Sequence, residues 1–557
     1  MKTSSGSRTI LMAICLLILV SVAFPDGRTN KVDKLFAPWG KPDTPGCAVA
    51  VIKDGKILYK RGYGMANLEL NIPISSQTVF YIGSLSKQFV ALCAAMLEKQ
   101  GKLSFDDDIH EYVPELPEYG TPITIRHLIH HTSGLRDYLT LLDIAGMNFG
   151  FFHQQDVLDL ISRQKGLNFD PGEEYLYSNS GYFLLGIIVE RASGKTLREF
   201  AEKNIFKPLR MKNSRFQDDY RMLIKNRASG YFPAGKEQYK NYLTTYDCVG
   251  AGGLYTSVED LFLWDQNFYH CRVGGKDLID KMHTRGKLNN GETLDYAYAL
   301  LLSSYKGLNT VQHGGALGGY RSVLIRFPEQ NFSVICLANL SSFNPSKLSR
   351  QVADIYLANQ FKKIKTETKP ARQMQYMKIS PKKLKEKVGT YLNRETGDLR
   401  RLFLKDGRLV IKISGQNFPL IAVSESEFHV LDSPVKVVLK FEKKSKERPR
   451  TVHIYQEEKK PETYEAVQLV EPTPEELKEY EGEYFNPELR VIFRLVLKDG
   501  KLYFVHKNAP NTPFRPILRD RFNVKDWKIN FLRNTENEVS SFLLDAGRVK
   551  NLMFRKQ

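Results

Sequence analysis

Ser84 and Lys87 stand one helical turn apart, a hydroxyl and an amine spaced so that the second can take the proton of the first. Tyr177 and Asn179, two positions apart, offer a phenol as a second base and an amide as a hydrogen-bond partner. His313 precedes Gly314 and Gly315, small residues that let a strand edge approach a substrate carbonyl. Read together, Ser84-Leu85-Ser86-Lys87, Tyr177-Ser178-Asn179 and His313-Gly314-Gly315 describe acyl transfer through an activated serine. A serine hydroxyl is a weak nucleophile until a base removes its proton, and Lys87 is such a base only when uncharged. Burial and a second cation nearby both favour that state.

The individual motifs recur, so context decides. Ser-x-x-Lys also occurs at Ser162, Ser303, Ser380 and Ser433, and Tyr-x-Asn at Tyr391 and Tyr484. Only Ser84 opens a long apolar-periodic run, through Phe89, Val90, Leu92, Cys93, Met96 and Leu97, which predicts a buried helix over 84–99. Further helical patterns cover 154–163, 180–192, 196–205 and 258–269. Apolar strands lie at both ends of this region: 46–52, turned back by Asp54-Gly55 into Ile57-Leu58-Tyr59, and the pair 321–327 and 332–338. Strands at the two ends with helices between predict an antiparallel sheet closed by its own termini.

Three more segments keep the same order: Thr124 to Leu135, Phe169-Asp170-Pro171-Gly172, and Gly250 to Tyr255. With them, residues 33 to 360 resemble the serine β-lactamase-related family, and most of all the branch holding class C β-lactamases, D-stereospecific aminopeptidases, DD-carboxypeptidases (penicillin-binding-protein-like) and related esterases. The resemblance implies an α+β fold, a helix-flanked antiparallel sheet beside a helical subdomain, with the site at their junction. It implies that Lys87 and Tyr177 share the transferred proton and that Tyr177 protonates the leaving group. Asn179 would donate to the substrate amide and to Lys87. The oxyanion would be held by the backbone N–H of Ser84 and of Ala316, just after Gly315. One motif departs from much of the family. His313-Gly314-Gly315 stands where class C β-lactamases and most penicillin-binding proteins carry Lys-Thr-Gly or Lys-Ser-Gly. The His-x-Gly form resembles D-aminopeptidases and esterases. His313 is expected to bond Tyr177 or the substrate, to titrate near neutral pH and to be mostly uncharged at pH 7. That favours substrates without a free carboxylate at the scissile bond, unless Arg321 supplies the charge.

The chain of 557 residues is 42% hydrophobic and 26% charged, ordinary for a multidomain folded protein. Lys2 and Arg8 ahead of the apolar run Ile10 to Val20, then Ser21-Val22-Ala23, read as a cleaved signal peptide over 1–23, so a secreted or periplasmic protein is expected. The catalytic region is placed at 30–361 and a charged linker at 362–383. An internal repeat follows, because Leu384 to Asn393 aligns with Leu477 to Asn486, and Leu404 to Leu409 with Leu497 to Leu502, both at an offset of 93 residues. Two small antiparallel β-barrels are expected, at 384–470 and 471–557, in which Tyr391 and Tyr484 are structural; they resemble the paired barrels behind the catalytic domain of D-aminopeptidases. The pocket is expected from loops 135–153 and 220–248, with a loop of the β repeats as a further candidate.

Five cysteines remain after the signal: Cys47, Cys93 and Cys336, in apolar strand or helix runs, read as buried core thiols, and a Cys248–Cys271 bridge is conceivable but has no pattern behind it. No cofactor or metal is expected. His127 and His131 have metal-ligand spacing, but no zinc-protease pattern accompanies them and capping is the simpler role. The net charge of +19 is spread widely, with runs at 362–365 and 443–446, and no nucleic-acid module is present. The partners expected are a peptide, amide, ester or β-lactam substrate and peptidoglycan. The favoured reading is an exported serine hydrolase on D-amino-acid peptides, amides or small esters. A β-lactamase or DD-carboxypeptidase is the nearer alternative. A slowly acylating penicillin or peptidoglycan sensor is the alternative of another class.

Overall fold

The computed structural model describes residues 27–147, 152–361, 377–413, 416–431, 436–442, 449–456, 460–506 and 509–557. The expected signal peptide with Cys15, the linker from 362 to 376 with its basic run, Ser433 and the basic run at 443–446 lie outside the described residues.

Six antiparallel strands build the first sheet: β1 (Cys47–Lys53), β2 (Lys56–Tyr63), β3 (Leu301–Tyr305), β4 (Leu308–Leu317), β5 (Tyr320–Phe327) and β6 (Phe332–Ala338), in the order β3-β4-β5-β6-β1-β2. The terminal strands pair as expected, with Cys47 opposite Ala338 and Lys53 opposite Phe332. Asp54 and Gly55 have φ of 50° and 75°, the left-handed pair that a two-residue hairpin turn requires. Alternation along β1 divides the core. Cys47, Val49 and Val51 join Val32, Phe36, Leu348 and Val352 of helices Gly27–Phe36 and Pro345–Leu357 on one face. Ala48, Ala50 and Ile52 face the helical subdomain on the other.

In that subdomain α1 (Lys87–Lys99), α2 (Tyr138–Ile144) and α3 (Asn179–Ser193) carry the site. Helix α1 begins at Lys87 and not at Ser84, because Gly83–Ser86 form a 3-10 turn ahead of it. Helices α1 and α3 are apolar nearly all round and buried, so they form the subdomain's centre. The helix expected over 196–205 is split into Leu197–Ala201 and a π turn, Glu202–Phe206.

Each C-terminal repeat opens with a short capped helix, Pro381–Lys385 behind Ser380 and Pro474–Lys478 behind Thr473. The first closes as an eight-stranded barrel, with Tyr391 opposite Ala466. The second is a nine-stranded antiparallel sheet whose two edge strands, Ala509–Pro513 and Arg515–Leu518, are consecutive in the chain. Tyr391 Oη donates to Lys387 O at 2.9 Å and Tyr484 Oη to Tyr480 O at 3.0 Å, one bond in two equivalent places, which makes both tyrosines structural. The first barrel has its own core around Tyr391, Ile411 and Leu439. The second sheet shares one continuous apolar cluster with α1 and α3. Its last two strands, β7 (Val539–Ala546) and β8 (Val549–Lys556), end in a hairpin that meets the catalytic region.

Candidate active site

Ser84 lies in the 3-10 turn, partly exposed, while Lys87 behind it is fully buried. Lys87 Nζ is 3.0 Å from Ser84 Oγ, 2.9 Å from Asn179 Oδ1 and 2.6 Å from Ala251 O. Two of these partners can only accept, and the third is a hydroxyl. A neutral amine fits them fully: two N–H bonds go to the carbonyls and the lone pair faces the Ser84 proton. Burial pushes Lys87 well below the usual lysine range. Asp137 opposes that shift and Arg548 adds to it.

Ser178 caps α3 and puts Tyr177 in the preceding loop and Asn179 in the first turn. Tyr177 Oη is buried and makes no hydrogen bond of good geometry. Burial raises its affinity for the proton, and nearby Ser84 and then Arg548 lower it. Asn179 differs from expectation. Its Nδ2 donates to Asp137 Oδ2 at 2.8 Å, which fixes the amide orientation, so Oδ1 accepts from Lys87 instead of donating to it. Asp137 also accepts from Asn179 N at 2.6 Å and caps α2 through Thr140 N at 3.1 Å.

His313, on β4, also differs in its partners. Nδ1 is 2.7 Å from Gly314 O, which can only accept, so Nδ1 carries the proton and Nε2 accepts from Tyr296 Oη at 3.0 Å. It therefore bonds neither Tyr177 nor a free site. Burial, with Lys87 nearby, pulls His313 down to about 4, so it is uncharged at pH 7 but does not titrate near neutrality. His127 is the expected cap, its Nδ1 accepting from Thr124 N. His131 is not a cap. It is buried in the site with its ring 4.1 Å from Tyr177, its Nδ1 accepting from Ser178 N at 3.2 Å. Tyr182 and Tyr296 complete the aromatic surround.

Strand β4 and the Gly83–Ser86 turn approach each other closely through their backbones. Strand β3 pairs with β4 only as far as Gln312, so the edge from His313 to Leu317 is left uncovered by it. A Cβ on Gly315 would fall 1.9 Å from Ile82 O, and one on Gly83, whose φ is +55°, would fall 2.7 Å from Ala316 N. Glycine at both places lets the Ala316 N–H and the turn that holds Ser84 come together. Arg321 is tied to its own turn, donating through Nη1 to Gly318 O at 2.9 Å and Tyr320 O at 2.7 Å.

A second guanidinium borders Tyr177 and Asp137. Arg548, at the β7–β8 hairpin, lies with Cζ 4.7 Å from the Tyr177 ring centre, and its Nη1 is 3.7 Å from Asp137 Oδ2. Asp137 and Arg548 belong to none of the three motifs, and His131, read as a cap from its spacing to His127, lies in the site instead. Asp137 carries a cap signal before the apolar run of α2. Arg548 carries none, because it reaches the site only through the tertiary docking of the second repeat.

A family model described as Beta-lactamase matches residues 32–358. Penicillin-binding protein 4* of Bacillus subtilis (strain 168) is 33% identical over 330 residues, covering 56% of this chain and 72% of that protein. A D-aminopeptidase of Gluconobacter oxydans (strain 621H) is 29% identical over 355 residues, or 63% of this chain, which spans 64% of that protein's length. Among solved structures, the octameric penicillin-binding protein homologue from Pyrococcus abyssi matches with a TM-score of 0.53 and 25% identity, over 79% of this chain and 99% of that one.

Proposed function

We propose that this chain, which belongs to the beta-lactamase family, is a serine hydrolase that forms an acyl-enzyme on Ser84 and acts on D-amino-acid-containing peptides and amides or on small esters. The observation that carries the proposal is the placement of Lys87 Nζ, 3.0 Å from Ser84 Oγ with its other two contacts on carbonyl oxygens. As Oγ bonds the substrate carbonyl carbon, its proton passes to Lys87 Nζ. The backbone N–H groups of Ser84 and Ala316 receive the oxyanion. As the tetrahedral centre collapses, the bond to the leaving amine or alcohol breaks and that group takes a proton from the Lys87–Tyr177 pair. Water repeats the sequence on the ester and restores Ser84. An uncharged His313 at the third motif supports amide and ester substrates over those anchored by a fixed charge there. Similarity to a D-aminopeptidase supports the same substrate class. Export belongs to the proposal too, on the basic and then apolar opening of the sequence.

A fluorophosphonate probe should label Ser84, and Ser84→Ala should abolish both labelling and turnover. Kinetics on D-Ala-p-nitroanilide, a D-Ala-D-Ala peptide, p-nitrophenyl acetate and nitrocefin then assign the substrate class. Efficient nitrocefin turnover would favour a β-lactamase instead. Stoichiometric labelling without turnover of any of the four would favour a sensor.

A further inference from the structure

A line of four contacts runs from the C-terminal sheet to the nucleophile. Arg548 Nη1 is 3.7 Å from Asp137 Oδ2, which accepts from Asn179 Nδ2 at 2.8 Å. Asn179 Oδ1 accepts from Lys87 Nζ at 2.9 Å, and Lys87 Nζ is 3.0 Å from Ser84 Oγ. The hairpin that carries Arg548 is held firmly. Arg548 O accepts from Asn168 Nδ2 at 3.0 Å and Asp137 N at 3.4 Å, and Lys550 N donates to Asn168 Oδ1 at 2.7 Å.

The charge balance gives this line its meaning. The Asp137 side chain is 1% exposed, and a carboxylate so buried needs a cation to offset it. Two basic side chains lie in its network, Lys87 and Arg548. Lys87 is buried, and if it were the counter-ion it would hold its proton and could not activate Ser84. The Arg548 side chain is 42% exposed, and a guanidinium stays charged throughout the working pH range. The remaining ionisable groups around the pair do not substitute for it. His131, after the helix Ile125–Ile129, and His313 on β4 are held uncharged by burial. Tyr138 on α2, Tyr175, Tyr177, Tyr182 on α3 and Tyr296 before β3 are held as neutral phenols by burial, and the flanking cations Arg136 and Lys550 are matched by Glu488 and Glu174.

We propose that Arg548 is a positioning residue of the acyl-transfer site: it balances the buried Asp137 carboxylate and so leaves Lys87 free to act as an uncharged base toward Ser84. The inference rests on the assignment of Ser84 as nucleophile. It gives the second β repeat a part in the chemistry that it performs without touching the reacting atoms. Its removal should return the task of balancing Asp137 to Lys87, raise the pH at which Lys87 loses its proton, and move the acid limb of acylation the same way.

The test uses the full chain and two readouts. NMR of ¹³Cε-labelled lysine follows Lys87, its signal identified by its loss in Lys87→Met. In Arg548→Met the titration midpoint should rise by about one pH unit, and fluorophosphonate labelling at pH 7 should slow about tenfold. Arg548→Lys should keep the midpoint near the wild-type value, and Arg548→Gln serves as the neutral variant should Arg548→Met melt without cooperativity. An unmoved Lys87 midpoint overturns the proposal whatever the rates do. That includes the case in which only carboxylate-bearing substrates suffer, which would make Arg548 a substrate anchor. A midpoint that moves in a protein whose Ser84 no probe acylates upholds the role of Arg548 and overturns the acyl-transfer reading instead.

Discussion

At the scale of single residues, the proton is the quantity to follow. Lys87 and Tyr177 both face Ser84, and groups that share one proton give losses that do not multiply. Lys87→Ala, Tyr177→Phe and the double variant should therefore fall to similarly low values of kcat/KM. Losses that multiply in the double variant would show independent roles. A second consequence concerns stability. His130 and His313 are each pulled by burial from an ordinary value of 6.5 to about 4. Between those values the unfolded chain binds a proton that the folded chain does not, so stability falls as pH falls from about 6.5 to about 4 and levels off below. Each such histidine contributes about 1.4 kcal/mol per pH unit inside the window. Melting curves from pH 7 to pH 4 should show the fall, and His130→Gln, at a ring that packs against Tyr298, should make it shallower. An unchanged slope in His130→Gln would show that this ring is protonated in the fold. Ser84 and Lys87 were legible in the sequence because a three-residue spacing is local. The protonation state of His313 was half legible. Its neutrality at pH 7 follows from the residue type, but its partner Tyr296 and its low value come from burial that no spacing encodes.

At the scale of elements, the site depends on a strand edge and a helix start meeting without side chains between them. Gly315→Ala puts a methyl 1.9 Å from Ile82 O, and both are backbone-fixed, so β4 must move away from the turn that holds Ser84. The Ala316 N–H then leaves the place at which it is proposed to meet the oxyanion. Loss of one such donor costs roughly 10²–10³ in kcat. Acylation by an ester substrate should fall by that order while KM changes less, and a wild-type rate would place the oxyanion elsewhere. Most elements of this region were legible, because apolar runs with period 3.6 or 2 and the Asp54-Gly55 turn carry their own geometry. The error at the start of α1 has a physical source. Gly83 at φ +55° and the tight bond Ser86 Oγ to Gly83 O, 2.6 Å, favour a 3-10 turn that exposes Ser84. The internal repeat was legible as a repeat, since Asp406-Gly407 and Asp499-Gly500 make the same left-handed turn pair. What it did not disclose is that one copy closes on itself while the other docks.

At the scale of the whole molecule, that docking changes what a truncation should do. From the sequence, a chain ending before the repeats would keep its chemistry, since Ser84, Lys87, Tyr177, Asn179 and His313 all precede residue 361. The structure argues otherwise. Arg136, one residue before Asp137, is buried against the second sheet. Its Nη1 is 2.6 Å from Glu488 Oε2, its Nη2 donates to Asn551 O at 2.9 Å, and the side chains of Arg136 and Glu488 are 4% and 14% exposed. Lys550 and Glu174 add an outer pair at 2.9 Å. Removing one partner of a buried pair costs roughly 3–5 kcal/mol, because the other charge is left uncompensated. Glu488→Gln should therefore lower the melting temperature of the full chain and loosen the hairpin that holds Arg548. A chain ending at residue 361 loses Glu488 and Arg548 together. If it folds, its Ser84 should be labelled slowly at pH 7 and recover as pH rises, because the base is protonated and not absent. Its melting temperature should fall, since the apolar face that the second sheet shares with α1 and α3 becomes exposed. Deletion of the first barrel alone, with the second sheet rejoined through a flexible linker, should restore the wild-type pH profile, because that barrel has a separate core. Full-rate labelling of the shortest chain across pH 6 to 9 would show that the catalytic region activates Ser84 unaided.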